Sequence, residues 1–143
     1  MMTAKEYLDQ LHLLDVKINQ DLERLEEMKH GALGIRAMQY DTDKVQVSPA
    51  DRLCADVARY TDFSEKINKE INRFIEAKNR VIEQIQGLQN PVYVQVLFKV
   101  YVQYKTLKEA TPEIGLSYST VLIKHAEALN AFYNMYTPLG LLP

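Results

Sequence analysis

Residues 105–129 read KTLKEATPEIGLSYSTVLIKHAEAL, and this stretch decides how the rest of the chain is read. Thr106 is placed to cap a short helix running through Leu107 and Ala110 to Ile114. Gly115 supplies a turn, because a residue without a Cβ takes φ > 0 at no steric cost. Leu116 is expected to plug the core behind that turn. Ser117 then caps a second helix through Val121, His125, Ala128 and Leu129. A glycine corner, an apolar residue and a Ser cap together make the layout of a helix-turn-helix, whose second helix can enter the major groove of DNA. In that arrangement Pro112 is expected to interrupt the first helix, since its ring and missing N–H cost ~3 kcal/mol in a helix interior.

Upstream, the pattern is helical from Thr3 to about Met38. Thr3 and Glu6 have the spacing of a capping box. Tyr7, Leu11, Leu14, Ile18, Leu22, Leu25, Met28, Ala32 and Ile35 form one apolar stripe in steps of three and four. Lys17, Glu23, Arg24, Glu27 and Lys29 lie on the opposite, solvated face. Residues Gln39 to Pro49 break the period with turn formers and read as a polar loop, with an extended piece at Val45–Val47 as the alternative. Ser48 before Pro49 is a cap followed by a first-turn proline.

The second long helix covers about Pro49 to Leu88. Its stripe is Leu53, Val57, Tyr60, Ser64, Ile67, Ile71, Phe74, Lys78, Val81, Ile85 and Leu88, a heptad repeat with two polar members. Forty residues of helix span about 60 Å, which favours an antiparallel hairpin with the first helix that also pairs with another chain. Lys78 on the seam either sets register or carries its ammonium to the rim. Cys54 is expected to pack in the core of this helix. Gly87 to Pro91 marks a boundary, and Tyr93, Val96, Leu97, Val100, Tyr101 and Tyr104 follow as an aromatic-rich core stripe of a third helix. The reading is therefore all-α: residues 1–89 a coiled-coil-like hairpin stem, 90–137 a helix-turn-helix domain, 138–143 an apolar tail.

Charge is nearly balanced, with 17 Lys+Arg against 19 Asp+Glu, which argues against nucleic-acid binding through bulk charge. Residues 1–89 hold 13 basic and 16 acidic side chains, and residues 90–143 hold 4 and 3, so the C-terminal part is slightly basic. One cysteine excludes an intramolecular disulfide and fits a reducing cytoplasm. No apolar run approaches the ~18 residues that cross a bilayer, and Lys5, Glu6 and Asp9 do not fit a signal peptide. His12, His30 and His125 are far apart, no Cys/His cluster has metal-ligand spacing, and the glycines are isolated. His12 and His30 read as solvated and His125 as partly buried or phosphate-facing. No enzyme and no cofactor is expected.

The hairpin order, the loop Asp-Lys-Val-Gln-Val-Ser-Pro at 43–49 and the turn Gly-Leu-Ser-Tyr-Ser-Thr-Val at 115–121 carry a resemblance. From about residue 3 to 133 the chain resembles small phage- and prophage-encoded regulators of Gram-positive bacteria. Their C-terminal part is similar to sigma factor region four, and they are related to ArpU-type late-transcription regulators. The resemblance implies a four-helix unit whose last helix reads DNA, on a coiled-coil stem, in the cytoplasm of a bacterial host. The heptad repeat of the stem adds self-association as an expectation, and RNA polymerase is a further partner that would fit. Carried over by position, Leu107, Ala110, Ile114, Leu116 and Val121 would hold the core of the unit. Ser117, Tyr118, Ser119 and Thr120 would meet base edges and phosphates, assisted by Lys124, Lys105 and Lys108. Where the family pattern places Arg or Lys, this chain has Leu122 and Ile123. The second reading is therefore a non-catalytic protein-interaction module of the same shape that has lost DNA contact.

Overall fold

The computed structural model describes residues 2–33 and 49–137, and the expected loop at 39–48, the end of the first stripe and the tail lie outside them. Every regular element among the described residues is helical: α1 (Ala4–Leu33), α2 (Pro49–Gln86), α3 (Pro91–Leu97), a π-helical segment (Phe98–Val102), α4 (Leu107–Ile114) and α5 (Tyr118–Tyr136). No described helix is long and apolar enough to cross a membrane. The described residues within 1–15 and 74–137 form one compact unit and those within 16–73 a second, so each long helix contributes a stretch to both.

In the first unit α1 starts as its sequence dictates. The Glu6 amide donates to Thr3 Oγ1 and the Thr3 amide to Glu6 Oε2, both at 3.1 Å, a reciprocal cap. Ala4, Leu8 and Leu11 are buried, while Leu14 is exposed, so the inward stripe here starts one position away from the Tyr7–Leu11–Leu14 line expected. Those residues share a core with Val81, Ile85 and Leu88 of α2 and its following turn, with Leu97, Tyr101 and Val102, and with Ala128, Phe132 and Tyr136 of α5. The core thus runs without a break across the Gly87–Pro91 segment. Tyr7 donates to Gln84 Oε1 at 2.8 Å, and Tyr136 donates to the Gln84 carbonyl, which makes Gln84 a buried polar node with its acceptors satisfied. Lys78 carries its ammonium 5.8 Å from the Phe74 ring centroid.

Asn90 caps α3 by accepting from the Val92 amide at 2.9 Å, and Pro91 fills the first helical position where no N–H is needed. The helix then widens into the π segment, where the Gln103 amide reaches back to the Phe98 carbonyl at 3.0 Å. Residues five apart consequently share a face, so Val96 with Tyr101 and Leu97 with Val102 are all buried. A regular α-helical period across 93–104 does not produce that set. Tyr104 leaves the segment at φ 59°, a left-handed conformation usual for glycine, and its ring stacks on His12 with centroids 4.3 Å apart.

The second unit contains the C-terminal part of α1 and the N-terminal part of α2. Among its described residues Ile18 and Ile67 are the buried apolar ones, and the Arg24 guanidinium sits 4.9 Å from the Phe63 ring centroid. Leu22, Leu53 and Val57 are exposed although they fall on the expected stripes. Cys54 is exposed as well, which corrects the core placement expected of it: among the described residues nothing buries the α2 face it shares with Leu53 and Val57.

Candidate nucleic-acid interface

Thr106 stands extended before α4, and its Oγ1 accepts from the Glu109 amide at 3.2 Å. α4 continues through Pro112 to Ile114, so the expected interruption does not occur. The proline stands two residues from the end of an eight-residue helix, where only the bond to the Lys108 carbonyl is forfeited. Gly115 closes the helix at φ 84° and ψ 18°, and its amide donates to the Thr111 carbonyl at 3.1 Å. Ser117 is extended and accepts from the Thr120 amide at 3.3 Å, capping α5. Both caps and the left-handed glycine are where the residue types put them.

Ala110 and Val121 are fully buried, and Leu107 and Ile114 half-buried. Leu116 is not the core plug expected: it is the middle residue of the three-residue link Gly115–Ser117 and is 37% exposed.

Of the proposed DNA-contacting residues, Ser117, Tyr118 and Ser119 are exposed at the start of α5 and Thr120 is half-buried. Ser117 Oγ lies 2.8 Å from Thr120 Oγ1 and 3.4 Å from Ser119 Oγ, so three hydroxyls cluster on the first turn. The N-terminal end of a helix carries partial positive charge that favours such hydroxyls and anions there. Two of the three lysines are ion-paired. Lys105 Nζ donates to both Glu113 oxygens at 2.6 Å, and Lys124 Nζ to Glu127 Oε2 at 3.2 Å. Lys108 is exposed on α4. Two further residues join these groups: Lys99, which the sequence did not single out, and Tyr93, which reads there only as part of the core stripe. Lys99, from the π segment, approaches Glu113 Oε2 to 3.4 Å, and Tyr93 donates to Glu127 Oε2 at 2.9 Å.

These contacts set the charge state of the carboxylates. The Lys105 hydrogen bond, reinforced by Lys99, holds Glu113 below the usual carboxylate range. The Tyr93 hydrogen bond, then that of Lys124, does the same for Glu127, and the Tyr93 phenol is raised in return. His125, midway along α5, is half-buried and stacks on Tyr101, whose hydroxyl lies 2.8 Å from its Nε2. Burial, followed by the charge of Lys5, lowers its pKa below the ordinary 6.5, with Asp9 opposing. A neutral imidazole leaves Nε2 free to accept from the phenol. Among the described residues no group of three or more His, Cys, Asp or Glu is placed to hold a metal ion.

No family model, curated protein or solved structure matches the chain.

Proposed function

We propose that this chain is a sequence-specific DNA-binding transcription regulator of phage or prophage origin, acting in the bacterial cytoplasm. In this reading α4, the Gly115 turn and α5 form a helix-turn-helix, and α5 is its recognition helix. The observation that carries it is the exposed first turn of α5, where Ser117, Tyr118 and Ser119 stand open behind a left-handed glycine. Short hydroxyl side chains at a helix N-terminus are a common means of contacting phosphate and base edges. Ion pairing of Lys105 and Lys124 does not oppose it, because exposed pairs are worth only ~0–1 kcal/mol and exchange partners readily. The α1–α2 pair serves as an antiparallel hairpin stem through which copies associate, and RNA polymerase is a further partner. Opposed numbering supports the hairpin: in the first unit Tyr7 meets Gln84 while Leu14 lies near Ala77.

A second reading is favoured by one observation. Tyr118, Leu122 and Ile123 are exposed on the same helix, Ile123 by 59%. An apolar face of that kind fits a non-catalytic protein-interaction module that keeps the shape and not the DNA contact. Fluorescence anisotropy with random-sequence and promoter-region duplexes separates the two. Binding at ~50 mM salt that weakens as salt rises supports phosphate contact; absence of binding at micromolar protein rejects the first reading.

A further inference from the structure

Lys99 and Lys105 come from separate segments, the π turn and the link before α4, yet both ammonium groups converge on the one carboxylate of Glu113. A surface ion pair ordinarily joins one cation to one anion. Here two cations flank one anion, and the group keeps a surplus positive charge with Glu113 in place. Glu113 is in the last turn of α4, the end where the helix dipole disfavours negative charge, so it is the two ammonium groups that favour a carboxylate there. Lys99 is held close, with its side chain only 21% exposed, whereas Glu113 is 42% exposed and can swing outward.

We propose that Lys99 and Lys105 form a clamp for a backbone phosphate of nucleic acid, and that Glu113 occupies it as an internal anion in the free protein. The clamp rests on the DNA-binding reading above and assigns it a phosphate contact beside the Gly115 turn. A carboxylate and a phosphodiester offer lysine the same thing, a pair of oxygens sharing one negative charge. Binding therefore exchanges one anion for another, and the released Glu113 gathers a counterion as the phosphate gives its own up. The wild-type salt dependence is correspondingly shallow for these two lysines.

Anisotropy titrations of a labelled duplex at ~50 and ~200 mM salt test this with wild type, Glu113→Gln, Lys105→Gln and the triple variant Glu113→Gln, Lys99→Gln, Lys105→Gln. Emptying the clamp should steepen the log–log salt slope by up to about 0.9, the value for one phosphate, which makes the advantage of Glu113→Gln over wild type about 3.5-fold larger at the lower salt. The triple variant should lose that advantage, and Lys105→Gln should bind DNA more weakly than wild type. Wild type and Glu113→Gln binding with equal affinity and slope overturns the clamp and leaves DNA binding standing. No binding by any of the four overturns both. Should Glu113→Gln melt out on circular dichroism, Lys105→Gln decides: unchanged DNA affinity overturns the clamp.

Discussion

Replacing Gly87 with alanine places a methyl carbon 2.5 Å from the Tyr136 hydroxyl oxygen, well inside van der Waals contact. The obstacle is not the loose end of a flexible chain. Tyr136 is buried, its ring packs against Phe132 with centroids 4.8 Å apart, and its hydroxyl is tied to the Gln84 carbonyl. Overpacking against such a fixed group costs about 1–3 kcal/mol. At about 4 °C per kcal/mol for a chain of this size, thermal melting followed by circular dichroism should fall by roughly 4–12 °C. Tyr136→Phe removes the oxygen and forfeits one hydrogen bond, a loss of about 1 kcal/mol, which the Gln84 carbonyl tolerates because it also accepts from the Gly87 amide at 3.2 Å. The double variant should then be scarcely less stable than Tyr136→Phe alone, a coupling of more than about 1 kcal/mol in the mutant cycle. Additive losses, or a Gly87→Ala melt within a degree of wild type, would refute the packing argument.

Gly115 has the opposite character: nothing lies within 4 Å of an added Cβ, but φ is +84°. Gly115→Ala should lose about 1–2 kcal/mol from backbone strain alone and Gly115→Asn less, measured by urea denaturation. Ser117→Ala should lose about 1 kcal/mol with the cap, read from the same curves. His125 provides a pH test. Its folded pKa is depressed, so its stability contribution is complete above about 6.5 and declines as pH falls from there toward the folded value. Melting between pH 7.5 and 5 should drop in wild type and be flatter in His125→Gln; parallel curves would remove His125 as the cause. If α5 faces the groove, Leu122→Arg with Ile123→Lys should raise duplex affinity severalfold at low salt, and a change of oligomeric state on gel filtration instead would favour the interaction module.

The helices were legible because caps and breakers act locally. Thr3 with Glu6, Thr106, Gly115 and Ser117 each work through a partner three or four residues away, and the structure has them as read. What escaped the sequence depends on packing between elements or on a change of period. Leu8 is buried and Leu14 exposed because the face that α1 turns inward follows its neighbours, not its richest apolar line. Leu116 and Cys54 have apolar character but no covering element among the described residues, which no single helix can reveal. At the candidate interface, Ser117 to Ser119 were legible as the opening of a helix. The Lys99–Lys105–Glu113 group was not, since its members are six and eight residues apart and meet only because a π turn and a left-handed Tyr104 fold the link back.

The π turn has a consequence for how this chain tolerates changes in length. The buried residues of α3 and of this turn are 96, 97, 101 and 102. Delete one residue between Phe98 and Val100 and the same side chains fall at a spacing of three and four, which is the inward face of an ordinary α-helix. The segment is therefore an α-helix carrying one surplus residue that has been absorbed locally, leaving the faces on either side in phase. Sister sequences one residue shorter at this point would keep the same core, whereas a gap inside α5 would rotate every residue after it. Alignments of such sequences belong with their gap at 98–100.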